Sequence, residues 1–71
     1  MKFHAPRLDD SILGRELRFP HLRTFRAIIA EIDREHQRIR IRSLNTGMLA
    51  VEWDSWRDVL RAMAHGHVEL V

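Results

Sequence analysis

The sequence predicts a small α+β domain that is mainly β, with one helix near its C-terminal end and a closing strand after it. Residues 38–42, RIRIR, alternate polar and apolar side chains without interruption, as a half-buried strand does. Asn45-Thr46-Gly47 reads as a tight turn, because glycine accepts the positive φ that such turns require. Apolar side chains at helical spacing from Trp56 to Met63 then indicate a helix.

Length and composition narrow the class of protein. The chain has 71 residues, of which 45% are apolar and 31% are charged, so one domain covering 1–71 is expected. At this size a single core rarely contributes more than about 3–5 kcal/mol, and the apolar side chains that line a deep pocket would be taken from that core. We therefore expect a protein that is not an enzyme and that holds no metal or cofactor.

Targeting signals and cysteines are missing from the sequence. The N-terminal stretch has no apolar segment of the secretory kind, and no apolar run approaches the length of about 20 residues that spans a membrane. With no cysteine, disulfides and thiolate metal sites are excluded. These features predict a cytoplasmic protein with no membrane partner.

The N-terminal part of the chain is weakly patterned. Residues 1–13 are expected to form a loose arm that touches the body through apolar side chains, namely Phe3, Leu8, Ile12 and Leu13. Residues 15–19, RELRF, alternate and end at Pro20, which suits a short edge strand.

Residues 21–37 allow two interpretations. As a helix, they align Leu22, Phe25, Ile28, Ile29 and Ile32 on one stripe, and the fold becomes an α-β-β-α-β sandwich. As a strand followed by a polar turn, they place Ile28 and Ile32 on one face and Ile29 on the other, with Asp33 opening the turn. The strand is favoured, because a helix through Gln37 would meet the next strand with neither a glycine nor a loop between them.

The C-terminal half is expected to complete a meander. Ile39 and Ile41 face the core, and 48–53 returns as a strand with its alternate residues Leu49, Val51 and Trp53 turned inward. Ser55 and Asp58 have the spacing of a capping box at the start of the helix. Gly66 supplies a left-handed helix end, and 67–71 forms the last strand. The side chains expected to be most buried are Ile39, Ile41, Leu49, Val51, Trp53, Trp56, Val59, Leu60 and Met63.

This order of four strands, a helix and a strand resembles the SH3-like small barrels over about residues 15–71. The resemblance concerns architecture only, and no sequence motif carries it. Such barrels bind proteins, peptides or nucleic acids, so the resemblance does not choose among these partners.

Arg38, Arg40 and Arg42 form the most distinctive feature, which we call the Arg ladder. On one strand face they are spaced by about 6.6 Å, close to the phosphate repeat of a nucleic-acid strand. The ladder could equally be neutralised by Glu31 and Glu52 on flanking strands and serve only as a solvated face. In a third interpretation the ladder binds an acidic surface of another protein, together with the neighbouring apolar residues of this chain, which are Met48, Ala50 and Ile29.

Other candidate sites are weaker. Of five histidines only His65 and His67 are close in sequence, and no third ligand completes a metal site there. Ser43, His36 and Asp33 are the residue types of a catalytic triad, but no glycine-rich turn surrounds the serine.

The predicted function is that of a small regulatory or adaptor protein that binds another protein. The predicted binding residues are Arg38, Arg40, Arg42, Met48 and Trp53, since Arg and Trp dominate protein interfaces. A nucleic-acid-binding module is the second possibility, although a net charge of +2 is a weak field for phosphate. The third is a subunit of a structural homo-oligomer, and a related expectation is a homodimer through the HVELV edge or through the helix.

Overall fold

One antiparallel sheet of five strands, curled into a half-barrel, forms most of the protein. The computed structural model describes residues 3–71, so Met1 and Lys2 lie outside the described residues. A short 3-10 helix over Asp10–Ile12 precedes the sheet, and the helix α1 (Trp56–Ala64) separates the last two strands. The strands are β1 (Glu16–Arg18), β2 (Arg26–Asp33), β3 (Arg38–Ser43), β4 (Asp54–Ser55) and β5 (Glu69–Leu70). The predicted mainly β class is confirmed, and the helical alternative for 21–37 is wrong.

The spatial order of the strands is β4-β3-β2-β1-β5. The first four strands form the expected meander, and β5 returns to pair with β1, where Leu17 lies opposite Leu70. Residues 16–18 are therefore an interior strand, and their prediction as an edge is wrong. The edges are β4 and β5, and α1 connects them along the open side of the half-barrel.

A β-bulge at Ala30 decides which side chains of β2 face the core. Ile29 lies opposite Ile41 and Glu31 lies opposite Arg40, which leaves Ala30 as an extra residue. Strict alternation would separate Ile29 from Ile32, as the sequence suggested. The bulge instead brings Ile32 back to the core face and turns Glu31 to the other face of the sheet.

The returning segment after the Asn45 turn is not a continuous strand. Leu49 pairs with Arg42 as an isolated bridge, and Asp54 pairs with Ile39. The chain from Leu49 to Asp54 is two residues longer than the stretch of β3 that lies beside it, from Arg42 back to Ile39. Val51 and Glu52 therefore bend away from the sheet. The prediction of a strand over 48–53 with Val51 inward is wrong, since Val51 is 92% exposed.

The helix begins and ends where the sequence predicts, but its start is stabilised differently. Ser55 occupies the N-cap position without a side-chain hydrogen bond, so the predicted capping box does not form. The first helical amide, that of Trp56, instead donates to the carbonyl oxygen of Gln37 at 2.9 Å. At the other end Gly66 has a φ of 75°, and the amides of Gly66 and His67 donate to Met63 and Ala62, which is the Schellman arrangement.

The core lies between the concave face of the sheet, α1 and the 3-10 helix. Its buried residues are Ile12, Leu17, Ala27, Ile29, Ile39, Trp56 and Val68. Only Ile39 and Trp56 of the predicted core are in this set. The half-buried members of the prediction are Ile41, Leu49, Trp53, Val59, Leu60 and Met63.

The N-terminal segment is more closely packed than the expected loose arm. Ile12 is 1% exposed, and Leu8 packs against the same core cluster. The amide of Gly14 donates to Ile29 and that of Ile29 donates to Arg15, so the end of this segment is hydrogen-bonded to β2. Phe3 and Leu13 are about half exposed.

Candidate functional site

The convex face of the sheet, opposite the core, carries the Arg ladder, and we call it the outer face. Cross-strand partners lie on the same face of a sheet, so the register assigns its members. Asp33, Glu31 and Ile28 of β2 lie opposite Arg38, Arg40 and Arg42 of β3. The face continues with Arg26 of β2, with Glu16 and Arg18 of β1, and with Glu69 of β5.

Trp53 provides an aromatic platform for two of the three ladder residues. The guanidinium carbon of Arg38 lies 4.6 Å from the centre of the Trp53 ring, and that of Arg40 lies 4.9 Å from it. Both distances are within the range of a cation–π interaction. Trp53 is half-buried by these contacts, so its prediction as an inward-facing core residue is wrong.

Each of these two arginines is also held by a carboxylate of β2. Arg38 donates through Nε to Oδ2 of Asp33 at 2.8 Å, and Arg40 donates through Nε to Oε1 of Glu31 at 2.7 Å. The predicted pairing of Glu31 with the ladder is confirmed. Glu52 does not form such a pair within residues 3–71, because its place is in the exposed bend before β4 and Asp33 takes the second pairing. The ion pairs and the Trp53 ring together fix two guanidinium groups in one orientation.

The bulge in β2 is the reason that these ion pairs exist. Without the extra residue Ala30, Glu31 would lie on the core face with Ile29. The sequence suggested Glu31 as a partner of the ladder but not Asp33 as the partner of Arg38, because a bulge has no reliable signature in a single sequence. The signal that was available is the spacing of Glu31 and Asp33, which places two carboxylates on one strand face.

Asp33 is the most strongly perturbed carboxyl group of the outer face. The hydrogen bond from Arg38 lowers its pKa from the ordinary value of 3.8 to about 2, and a further hydrogen bond from His36 acts in the same direction. The His36 amide and its Nδ1 both lie within hydrogen-bond distance of the carboxylate. Asp33 therefore fixes Arg38 and, as predicted, opens the turn before β3.

The Asp33→Asn variant is expected to melt at a lower temperature than the wild type at pH 7. A carboxyl group whose pKa is lowered by folding stabilises the fold at pH values above its pKa in the unfolded chain. This contribution is lost as the pH falls through the pKa that the group has in the folded protein. The difference between the two melting temperatures should therefore shrink between about pH 4 and pH 2. Thermal melts followed by circular dichroism at several pH values measure it. Glu35→Gln, at an exposed turn position, is the control, and a gap that does not change with pH would contradict the assignment.

Arg42 and Met48 are arranged differently from the other predicted binding residues. Arg42 is exposed and donates through Nη1 to the carbonyl oxygen of Gly47 at 3.0 Å. Met48, 71% exposed, lines a shallow groove with Phe25 and Ile41, and Ile41 leaves β3 on the face opposite the ladder. Ile29, expected beside the ladder, is fully buried in the core, and Ile28 takes that position.

The outer face is nearly neutral despite its five arginines. Arg18 lies opposite Glu69, and Arg26 donates to Glu16 through two nitrogens at 2.7 Å. Together with Glu31 and Asp33, four carboxylates oppose the five guanidinium groups, which leaves one excess positive charge. The face therefore offers oriented donors and an aromatic ring rather than a strong positive field.

Neither the histidines nor the three residues of the possible catalytic triad form a site in the part of the chain that the structure describes. His21 packs edge-on against His67 at 5.5 Å between ring centres, and His65 lies 6.0 Å from His67. Even so, no group of three or more His, Asp or Glu side chains in residues 3–71 is arranged to hold a metal ion. Asp33 and His36 are in contact, but Ser43 lies at the opposite end of β3 from their partner Arg38, so the three are not brought together.

No protein-family model, curated protein or solved structure matches the chain. In the described part of the chain, no helix has both the length and the apolar character needed to cross a membrane.

Proposed function

We propose that this protein is a non-enzymatic binding module that recognises another protein through the outer face, and that it acts as a regulator or adaptor. The observation that supports this is the cluster of Arg38, Trp53 and Arg40, in which two guanidinium groups stack on one indole ring. Arg and Trp are the residue types that most often dominate protein interfaces. Because the cluster is already ordered, little side-chain entropy is lost on binding.

The partner surface is an acidic one with room for an aromatic ring. A guanidinium group has five N–H donors, and the ion pairs with Asp33 and Glu31 use only part of them. A carboxylate of the partner can accept from the remaining donors while the exposed part of Trp53 packs against it. A nucleic acid is a poorer match, since phosphate binding requires a basic surface and this face carries one excess positive charge.

Replacing the whole ladder tests the proposal. The variant R38Q/R40Q/R42Q keeps the side-chain length and the apolar face of β3, and R34Q/R57Q/R61Q removes the same charge from exposed positions elsewhere. Exposed ion pairs contribute only about 0–1 kcal/mol each, so both variants should stay folded, as circular dichroism will show. Each is used to capture partners from a lysate of the source organism, with and without nuclease, and the captured protein is then titrated at several salt concentrations.

The proposal predicts a protein that is retained by the wild type and the control variant, survives nuclease treatment and is lost with the ladder variant. Capture that disappears with nuclease would favour a nucleic acid instead. In that case the slope of log affinity against log salt should flatten by about 2–3 in the ladder variant, from roughly 0.7–0.9 for each lost contact. Equal capture by the wild type and the ladder variant would mean that the outer face is only solvated.

A further inference from the structure

The open side of the half-barrel contains an apolar groove that is unrelated to the outer face. It has a volume of about 330 Å³ and lies between the sheet and α1. Phe19 and Phe25 form one wall, with ring centres 5.2 Å apart, and Val59 and Ala62 of α1 form the other. The groove exists because β4 and β5 do not meet, and α1 together with the short 3-10 helix leaves part of the concave face uncovered.

The apolar surface extends beyond the groove in two directions. Past Phe25 it continues to Met48 and Val51, which are 71% and 92% exposed. Beside the phenylalanines it continues to Leu22, which is 56% exposed. Large apolar side chains gathered around one concave site, rather than scattered over the surface, indicate a place where another molecule is buried.

Two carboxylates, Asp54 and Asp58, give the groove an acidic side. Both line it next to Val59. Burial raises the pKa of Asp54, and the neighbouring charges of Glu52 and Asp58 raise it further. The groove therefore disfavours an ionised Asp54, and a cation placed beside it would favour the ionised form.

We propose that this groove binds a basic, apolar peptide segment of a partner protein, with an aromatic or branched side chain between Phe25 and Val59 and a Lys or Arg beside Asp54 and Asp58. The negative charge at one side of an apolar groove selects this chemistry over an acidic or a purely polar segment. A symmetric dimer through the same groove is the competing occupant, and the test below distinguishes it from a peptide. The groove and the outer face lie on opposite sides of the sheet, so the protein can hold two partners at once.

The test uses a short synthetic peptide of Leu, Phe and Lys that is amphipathic as a helix. Its Glu-for-Lys counterpart tests the charge, and a version with Ser in place of Leu and Phe tests the apolar anchor. Each is titrated to millimolar concentration into the ¹⁵N-labelled full chain, and amide shifts report the site and the affinity. The basic apolar peptide should shift the amides of Phe25, Val59 and Ala62, and the two counterparts should bind about tenfold more weakly or not at all.

Variants of the protein complete the test. D54N/D58N should weaken binding of the basic apolar peptide by about tenfold, as expected for the loss of charge-assisted contacts. D10N/E35Q removes the same charge at exposed positions outside the groove and the outer face, and should bind as the wild type does. D54N alone should raise the melting temperature at pH 7, and a cooperative thermal melt of D54N/D58N shows that its weaker binding is not caused by misfolding. Each of four results would overturn the proposal. They are no amide shifts at millimolar peptide, equal binding of the acidic peptide, amide shifts confined to the outer face, and a dimer that occupies the groove. R38Q/R40Q/R42Q should bind the peptide normally, so this result is independent of the proposed function.

Discussion

Replacing Ile39 by Ala is expected to leave most of the protein unfolded at room temperature. Ile39 is fully buried at the centre of the core, where it packs with Ile29 and Trp56. Removing a buried Ile side chain costs about 2–5 kcal/mol, because apolar contacts are lost and a cavity remains. That cost is comparable to the entire stability of about 3–5 kcal/mol that a core of this size provides.

Val51→Ala is the matched control for the Ile39 variant. From the sequence Val51, like Ile39, was expected to be an inward-facing strand residue, but its side chain is 92% exposed. Surface substitutions usually change stability by less than about 0.5 kcal/mol. Thermal and urea melts of both variants give the comparison. A loss of stability in Val51→Ala as large as that in Ile39→Ala would contradict the bend at Val51 and Glu52.

Trp56→Ala is expected to have an effect of at least the same size. The Trp56 ring is 5% exposed and connects the start of α1 to the core, and truncation of a buried Trp costs about 3–5 kcal/mol. Trp53→Ala should cost less, because Trp53 is only half-buried and mainly loses its contacts with Arg38 and Arg40. Cation–π contacts at such exposed sites contribute about 0.5–1 kcal/mol each.

Fluorescence separates the two tryptophans directly. In the Trp53→Ala protein the remaining indole should emit at short wavelength and be protected from iodide, since it is buried. Urea melts should show the Trp53 variant cooperatively folded and the Trp56 variant largely unfolded before urea is added. The opposite order of stability would show that the helix does not pack through Trp56.

Much of the chain could be assigned from local pattern alone. The alternation of 38–42, the turn at Gly47 and the apolar spacing after Ser55 predicted β3, the turn and α1, because period and turn chemistry are properties of a few adjacent residues. The Schellman end at Gly66 was predictable for the same reason. The same local patterns were sufficient to predict a mainly β domain with a small helix.

The predicted core failed where the chain departs from a regular period. Ala30 in β2 is an extra residue that reverses the side chains following it, so Ile29 and Ile32 both face the core. Before β4 it is the register that differs from the prediction: Asp54 lies opposite Ile39, which leaves Trp53 on the outer face, while Val51 and Glu52 bend away from the sheet. A single sequence does not show such insertions, because they are set by the register between strands that are distant in sequence.

The sequence by itself determined the type and order of most elements and the placement of the Arg ladder on the face opposite Ile39 and Ile41. Only the tertiary structure decided that Glu31 and Asp33 pair with the ladder, that Trp53 lies beneath two of its residues, and that an acidic apolar groove opens on the other side of the sheet. The physical reason is the same in each case. These features depend on which residues of different strands and of α1 lie opposite one another, and that depends on the bulge, on the two-residue bend and on the open edges of the half-barrel.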